Sequence, residues 1–383
     1  MASRPAETFI ANDLVPQKIR VVETNPWSDP RWEAFVNQHP NGSIYHHPAW
    51  LSALHREYGQ EGVFLICEDA DKQILAILPL LYTKGLPFGF GKRLTGRRLS
   101  SLPRTPVAGP LSTDTRATVA LVEAAVQLSR QRGVQLQIKR QGPDLNGLVE
   151  GLVCTPWRES YLLHLTPSPD GTFRISNSHS RSVVKWAINK ATKLGVHARA
   201  AETESELAEW YKLYLETMRS NVVPPRPYRF FKALWDLLKP RGVFTLLLAE
   251  QEQAGQKRII AGSIFLSFRQ TVSYAFNGVR MKDLPLRPND VIQWHAINDA
   301  CKKGFRFFDF GEVPQGNVEL AKFKSKWGAE PVRLHRYYHP ISSVREQRPD
   351  EPWLGPELLT NLLWQKLPLS AICWLGDRIY SYL

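Results

Sequence analysis

One structural pattern occurs twice in this chain. The stretches "GVFLICEDADKQILAILPLLYT", from Gly62, and "GVFTLLLAEQEQAGQKRIIAGSIFLSF", from Gly242, each place two apolar runs around a polar turn, which predicts a β-hairpin. An amphipathic helix follows each hairpin, in "RATVALVEAAVQLSRQRG" and "NDVIQWHAINDACKKG", and ends at a glycine before a further strand. Helical sequence also precedes each hairpin. The pattern therefore predicts two similar α/β units in tandem.

The duplication divides the 383 residues into four parts. We expect an N-terminal extension over residues 1–19, a first domain over 20–150, a second domain over 151–340, and a linker with a C-terminal amphipathic helix over 341–383. Each domain is predicted to be of the α/β (α+β) class, with a mixed, mostly antiparallel sheet flanked by helices. The glycine- and proline-containing stretch "QGPDLNGLVEGL" marks the boundary between the two domains.

The charge balance favours an anionic partner. A net charge of +13 and a pI near 9.6 are typical of proteins that bind nucleic acid, a phosphorylated substrate or an acidic membrane surface. The four cysteines form no CxxC pair, which argues against a metal site. No apolar run has the length of a signal peptide or a membrane span. We expect a cytoplasmic protein, monomeric and without a metal or a tightly bound cofactor.

Each unit resembles the fold of the acyl-CoA N-acetyltransferases, called GNAT, in which the central sheet parts and the acyl donor enters the gap. That fold holds pyrophosphate on a glycine-rich loop, whereas the corresponding segment here, "VRMKDLPLRPNDVIQWHAI", contains no glycine. The motifs "SIYHHPAWLSAL", "HSRSVVKWAINKATKLGV", "PPRPYRFF", "SYAFNG" and "FDFGEVPQGNVELAKFKSKWG" follow in an order that resembles the Fem-type family. The second half is also similar to bacterial acyltransferase-like proteins linked to envelope polysaccharide production.

This resemblance implies an acyltransferase, either an N-acyltransferase or an aminoacyltransferase. Its expected reaction moves an acyl or aminoacyl group to an amine of a phosphorylated or amino-sugar precursor of peptidoglycan or polysaccharide. Acyl-CoA and aminoacyl-tRNA both stay open as the co-substrate. One alternative is a peptidyltransferase that uses aminoacyl-tRNA to build peptidoglycan cross-bridges. Another is a basic scaffold protein that kept the fold and lost the chemistry.

Three residues match positions at which Fem-type enzymes handle substrate. Arg226 matches an arginine that contacts the diphosphate of the acceptor, a task that suits the planar guanidinium, and the alternative is a surface arginine near a proline turn. Phe323 and Lys324 match a pair beside the transfer centre, where a fixed ammonium stabilises an oxyanion. We expect Arg226 and Lys324 to line one cavity at the parted sheet. The alternative for the lysine is a solvated basic helix, since Lys322 and Lys326 flank it at alternate positions.

The motifs "SYAFNG" and "FRFFDFG" supply further candidates. Tyr274 is expected to position the reacting group or to donate a proton, with a packed strand aromatic as the alternative. Asn277, in the same motif, is expected to contact substrate. Asp309 ends the predicted strand, and it can either take a proton from the attacking amine or bind the backbone of the turn at Gly311.

Two arginines near helices complete the predicted substrate contacts. Arg181 precedes a helix rich in lysine, which is either a surface for phosphate or tRNA or a solvated helix face. Ser180 beside it is the expected N-cap. In the Fem-type family a lysine on the helix after "PAW" helps to bind the acceptor phosphate. Leu54 stands at that position here, and we expect Arg56 to contribute instead.

The C-terminal segment "LLTNLLWQKLPLSAICWLGDRIYSYL" predicts an amphipathic helix with Trp364 and Trp374 as anchors. This helix can lie on the inner face of the membrane, dock on the protein core or pair with another subunit. Its shortness and Pro368 exclude a membrane span.

Overall fold

A computed structural model describes residues 19–84, 97–142, 144–166, 171–175, 177–253, 255–339, 363–380 and 382. Its strands are β1 (Arg20–Glu23), β2 (Gly62–Glu68), β3 (Ile74–Thr83), β4 (Arg98–Ser100), β5 (Leu111–Ser112), β6 (Gln135–Gln141), β7 (Val153–His164), β8 (Val196–Ala200), β9 (Phe244–Gln253), β10 (Gln256–Phe268), β11 (Thr271–Val279), β12 (Phe307–Val313) and β13 (Glu330–His339). Its α-helices are α1 (Pro30–Gln38), α2 (Pro48–Tyr58), α3 (Thr115–Gln131), α4 (Ser178–Lys193), α5 (Glu204–Ser220), α6 (Tyr228–Leu238), α7 (Pro288–Lys302), α8 (Val318–Ser325) and α9 (Leu369–Tyr380).

The strands of the described residues form one 13-stranded sheet. Its order is β1-β2-β3-β4-β6-β13-β7-β12-β11-β10-β9-β8, with β5 beside β3. In each half, a hairpin is followed by a strand, a crossover helix and a second strand that pairs in parallel with the first. These parallel pairs are β4 with β6 and β11 with β12. The predicted fold class, a duplicated α/β unit with a mixed sheet, is confirmed.

The two halves are joined by an exchange of strands. β7 follows the first half along the chain but pairs with β12 of the second half. β13 comes last, and it lies between β6 of the first half and β7. The last strand therefore returns to the first half, and the sheet runs from one half to the other without a break.

Three apolar cores hold helices on the sheet. α3 packs beneath the first half, with Leu121 and Val122 buried against Leu136 and Ile138 of β6. α4 and α7 cover the same side of the second half. The opposite side is shared by both halves, because α1 and α2 pack there together with α5 and α6. Any ligand held on this shared side meets residues from both halves.

Local capping explains where several helices begin. The Asp114 carboxylate accepts backbone hydrogen bonds at the start of α3, and a capping box of Thr203 and Glu206 starts α5. The prediction that Ser180 caps α4 is wrong. The cap is Asn177, whose side-chain oxygen accepts from the Ser180 N–H, so Ser180 already lies in the first turn.

The C-terminal helix α9 docks on the protein. Ile372 is fully buried in the shared core, and a Cβ at Gly376 would lie 2.5 Å from the Pro225 carbonyl oxygen. Trp364 is buried, whereas Trp374 is 58% exposed. Of the three positions offered by the sequence, the structure places α9 on the core. Across the part of the chain described, no helix combines the length and apolar character that crossing a membrane requires.

Candidate active site

The sheet parts between β11 and β12. These parallel strands pair over only three residues each, from Thr271 with Phe307 to Ser273 with Asp309. Beyond that point β11 continues to Val279 and β12 to Val313 without further pairing between them. The gap that the GNAT resemblance implied in the second half is therefore present, and Asp309 stands at its head.

A bulge on β12 accompanies this parting. Asp309 pairs with Leu162 of β7, but the next pair joins Glu312 to Ser160, so three steps on β12 oppose two on β7. Gly311 lies inside the bulge with a φ of 74°, a backbone conformation that glycine adopts at little cost. Asp309 is thus in the middle of a strand that continues to Val313, and the prediction that it ends the strand is wrong.

A cavity of about 580 Å³ lies on the shared side of the sheet at this point. The first half contributes the segment from Pro40 to His46 and part of 106–111. The second half contributes the loop from Phe268 to Thr271, Ser273 and Asp309. Alternate residues of β7 and β13 form the floor: Ser160, Leu162, Val332 and Leu334. A substrate in this cavity would contact both halves of the protein.

Asp309 is the carboxylate at the head of the gap. Its Oδ1 accepts hydrogen bonds from the Ser160 hydroxyl and from the Gly311 backbone N–H, both at 2.8 Å. Burial raises the pKa of Asp309 above its ordinary value, although these two donors and the charge of Lys324 oppose the shift. Both of these bonds use Oδ1, and Asp309 also lines the cavity. The bond from the Gly311 N–H is the predicted turn contact, and the proton-accepting role stays a prediction.

Lys324 supports the same bulge from behind. Its Nζ donates to the carbonyl oxygens of Gly311 at 2.8 Å and Glu312 at 2.9 Å. The side chain is 2% exposed, and burial lowers its pKa to about 8, against the raising effect of Asp309 and Glu312. The alternative of a solvated helix fails for Lys324, although Lys322 on the same helix is exposed.

The Arg226 side chain is surrounded by aromatic rings and hydrogen-bond acceptors. Its guanidinium donates to the Tyr58 hydroxyl at 3.0 Å and to the Arg104 carbonyl oxygen at 2.8 Å. The guanidinium carbon lies 4.6 Å from the ring centroid of Phe230 and 5.5 Å from that of Phe276. Arg226 is buried and does not line the 580 Å³ cavity. Lys324 does not line it either, so this cavity does not join the two as expected.

Tyr45 is subject to the charges of both Asp309 and Arg226. It lines the cavity, and burial followed by the charge of Asp309 raises the pKa of its phenol, whereas the charge of Arg226 lowers it. Its ring also packs edge-on against Trp50, with centroids 5.2 Å apart. Tyr45 therefore lines the cavity and packs on Trp50, whose ring in turn lies 5.8 Å from that of Phe230 beside Arg226.

The other residues predicted for the second half lie close to the gap but point elsewhere. Tyr274 stacks on Phe265, with ring centroids 5.6 Å apart, on the side covered by α7. The Asn277 side-chain oxygen accepts a hydrogen bond from Ser263 at 3.1 Å. Phe323 is half-buried, with the Lys326 ammonium 4.3 Å from its ring centroid. None of the three lines the cavity around Asp309, and their roles stay predictions.

The two remaining arginines lie outside this cavity. Arg181 donates from Nε and Nη2 to the Ile175 carbonyl oxygen, at 3.0 and 2.9 Å. Arg56 is exposed and lies 3.4 Å from the Glu57 carboxylate. Their proposed substrate contacts also stay predictions.

Several cavity residues were not singled out from the sequence. Ser160 lies in the middle of β7, where "WRESYLL" interrupts an apolar strand with polar residues. Arg140 and Asp144 contact each other at the cavity rim. His46 lines it too, and its Nε2–H donates to the Gly109 carbonyl oxygen at 2.9 Å while Nδ1 accepts from Ser43. Polar residues inside an otherwise apolar strand were the available indication for Ser160.

The start of α7 differs from a phosphate cradle. A 3-10 turn, Met281–Leu286, leads into Arg287, which begins the helix with a φ of 62° and no side-chain cap. The first turn contains Asp290, a 3% exposed carboxylate that pairs with Lys326. A helix N-terminus attracts anions, and at the N-terminus of α7 the Asp290 carboxylate already provides the negative charge. Among the described residues, no cluster of three His, Cys, Asp or Glu side chains could hold a metal ion.

The sequence of residues 178–325 matches the family profile described as an acetyltransferase (GNAT) domain. This part of the chain is a GNAT-type domain, and the protein is accordingly an acyltransferase. The matched segment runs from the first residue of α4 to the last residue of α8, with Asp309 and Lys324 inside it. No curated protein matches the sequence.

Solved structures share this architecture over more than four fifths of the chain. The crystal structure of FemX superposes with a TM-score of 0.62 at 14% identity, over 82% of this chain and 96% of that chain. The structure of L-PGS from Bacillus licheniformis superposes with a TM-score of 0.52 at 14% identity, over 84% of this chain and 96% of that chain. At these identities the likeness establishes the architecture, a Fem-like GNAT fold.

Proposed function

We propose that this GNAT acyltransferase transfers an acyl or aminoacyl group to an amine of a cell-envelope precursor, and that the amine binds in the cavity at Asp309. One observation supports this choice above the others. A half-buried carboxylate with a raised pKa lines a cavity of about 580 Å³ at the point where the GNAT sheet parts. A proton acceptor in that position is what amine attack requires.

The chemistry follows from the protonation of the amine. An alkylammonium cannot attack until it loses a proton, and in this proposal the Asp309 carboxylate accepts that proton. The nitrogen then forms a bond to the carbonyl carbon of the donor, and the bond from that carbon to sulfur or to the ribose oxygen breaks. The leaving group takes up a proton as it departs. A raised pKa makes Asp309 a better proton acceptor than an exposed aspartate.

Lys324 acts in this proposal as a positioning residue. Its bonds to the Gly311 and Glu312 carbonyl oxygens fix the bulge that aims Asp309. Two of its three N–H donors are used, and the positive charge lies behind the reacting centre, where it favours a developing negative charge.

The donor is an acyl-CoA or an aminoacyl-tRNA, and the start of α7 favours the tRNA. A pyrophosphate at this helix would meet the Asp290 carboxylate in place of a glycine-rich loop. Two further observations favour aminoacyl-tRNA: the protein has a net charge of +13, and its fold resembles that of FemX.

The acceptor class and the place of action are parts of the same proposal. A phosphorylated or amino-sugar precursor suits the positive charge of the protein. We place the reaction in the cytoplasm, at the inner face of the membrane. Trp374, the aromatic residue that α9 leaves exposed, is the proposed contact if the protein touches lipid.

The test is amine-dependent consumption of donor. Purified protein is incubated with a set of acyl-CoA esters or with charged bulk tRNA, each with and without amino-sugar nucleotides and muramyl peptides. Free thiol or uncharged tRNA is measured, and mass spectrometry identifies the acylated amine. We expect the Asp309→Asn protein to lose about a hundredfold or more of the wild-type rate, the usual contribution of a general base.

The matched control is Asp71→Asn, which makes the same change at an exposed turn of the first hairpin and should keep the wild-type rate. Equal rates for Asp309→Asn and the wild type would refute the role of the carboxylate. If the wild type consumes none of the donors in the presence of any amine, the scaffold alternative is favoured instead.

A further inference from the structure

Two basic side chains lie directly opposite each other on a buried part of the sheet. Lys139 of β6 is the antiparallel partner of Arg336 of β13. Their neighbours Ile138 and Tyr337 point into the core beneath α3. Because side chains alternate along a strand, Lys139 and Arg336 both point to the shared side. Like charges directly opposite each other destabilise a sheet, and Lys139 is only 4% exposed.

A third cation joins this pair. Arg98 of β4 is half-buried on the same side, since Leu99 points into the α3 core. Burial lowers the pKa of Lys139 first, and the charges of Arg336 and Arg98 lower it further. Among the described residues, the carboxylate acting on both Lys139 and Arg336 is Glu312. Glu312 thus acts on two of the three basic side chains, and the uncharged Tyr338 hydroxyl is the further partner of Arg336 and Arg98.

That carboxylate is also shared. Glu312 lies 3.7 Å from the Arg158 guanidinium and accepts a hydrogen bond from Trp157 Nε1 at 3.4 Å. The Arg336 guanidinium carbon lies 3.2 Å from the ring centroid of Trp157, so its contact there is with an uncharged ring. Buried charges are ordinarily paired, and this cluster is short of negative charge.

We propose that Lys139, Arg336 and Arg98 form a subsite for a phosphoryl group of the substrate, a phosphate ester or a diphosphate. This inference rests on the proposed function, because it assigns residues to the phosphate of the acceptor. A dianion supplies the charge that the cluster lacks, and guanidinium groups bind phosphate oxygens with paired N–H donors. Arg98 and Arg336 are only half-buried, which leaves an approach from solvent.

The position of the cluster relative to the cavity supports one extended ligand. Val332 lines the cavity and pairs with Ser160, the hydrogen-bond partner of Asp309. Arg336 lies four residues further along β13, about 13 Å at the usual strand rise. A substrate with its amine at Asp309 and its phosphate at Arg336 would follow the shared side of the sheet.

Arg226 is less suited to this task in the present arrangement. Its guanidinium already donates to a hydroxyl and a carbonyl oxygen, and aromatic rings flank it. Lys139 also binds backbone, with its Nζ 2.8 Å from the Leu102 carbonyl oxygen and 3.2 Å from that of Thr105. Among the described residues, Arg336 has no such hydrogen bond to the loop that contains Leu102 and Thr105. Replacing Arg336 therefore tests anion binding without removing the support that Lys139 gives this loop.

The experiment is calorimetric titration of the full-length protein with inorganic pyrophosphate at physiological salt. We expect the wild type to bind, and Lys139→Met and Arg336→Gln to bind about ten- to a hundredfold more weakly, the loss that one charged hydrogen bond represents. The control Lys193→Met removes an exposed lysine of α4 and should bind as the wild type does. An amino-sugar nucleotide should compete with pyrophosphate for the same site.

Two results would overturn the subsite: no pyrophosphate binding by the wild type at millimolar concentration, or wild-type affinity in Arg336→Gln. The second variant decides the case even if Lys139→Met does not fold. Asp309→Asn should bind pyrophosphate normally, because its carboxylate acts on the amine. Normal pyrophosphate binding by the wild type, without transfer from any donor to any amine, would instead refute the proposed function and leave the subsite intact.

Discussion

Replacing Lys324 by methionine is expected to remove a pH-dependent component of stability. The folded protein holds this lysine with a pKa of about 8, against 10.5 for an ordinary lysine. Between those two values the unfolded chain keeps the proton that the folded protein has lost. Since stability rises with pH wherever the unfolded state binds more protons, the wild type should gain stability as the pH rises from about 8 to 10.5.

The size of this effect follows from the shift. A lysine pKa lowered by this amount reduces the unfolding free energy by roughly 3 kcal/mol at pH 7, where the buried side chain carries a proton. At pH 9.5 the reduction is roughly 1 kcal/mol. The difference in unfolding free energy between wild type and Lys324→Met should therefore move by about 2 kcal/mol in favour of the wild type over that range. The lost bonds to Gly311 and Glu312 add a term of their own at both pH values.

Urea denaturation at the two pH values measures this difference. The control is Lys322→Met, two residues away on α8 and exposed, for which the difference from wild type should not change with pH. Parallel behaviour of Lys324→Met and Lys322→Met would show that the Lys324 ammonium is not desolvated, and the argument about the bulge would fail.

Three further perturbations test other contacts. Burial lowers the pKa of His46 to about 4. As the pH falls from 6.5 to 4, the wild type should therefore lose stability that His46→Gln keeps, about 2 kcal/mol at pH 5 by denaturant titration. The same pH dependence of stability in both proteins would contradict this. Gly376→Ala should loosen α9 and lower the unfolding free energy by about 1–3 kcal/mol, because the added Cβ clashes with Pro225. The variant should show faster proteolysis of the C-terminus. An unchanged proteolysis rate would argue against the docking of α9. Arg226→Lys should cost about 1–3 kcal/mol in thermal unfolding, since an ammonium cannot replace a stacked planar fork; an unchanged midpoint would show that stacking contributes little.

Local patterns made much of the fold predictable. The alternation in the two hairpins and the glycines after α3 and α7 depend on neighbours in sequence, so the duplicated unit could be recognised. The positions of β7 and β13 in the sheet could not be predicted, because Ser160 pairs with Glu312 and Val332, residues more than 150 positions away. No local rule specifies such partners.

The site shows the same division. The contact between Asp309 and the Gly311 N–H is a short-range turn, and the sequence offered it as one of two alternatives. The burial of Lys324 had no such indication, because three alternating lysines are equally consistent with a solvated helix. In "QLQIKRQ" the alternation does place Lys139 opposite the apolar side of β6, but its partner Arg336 is about 200 residues away along the chain.

The most direct test of the central claim is a crystal structure of the Asp309→Asn protein with its acceptor, once the transfer assay has identified that molecule. The account predicts the acceptor nitrogen within about 3.2 Å of the side chain at position 309, hydrogen-bond distance for a proton acceptor. An acceptor bound with its amine outside the cavity formed by Ser160, Ser273 and Leu334 would contradict it.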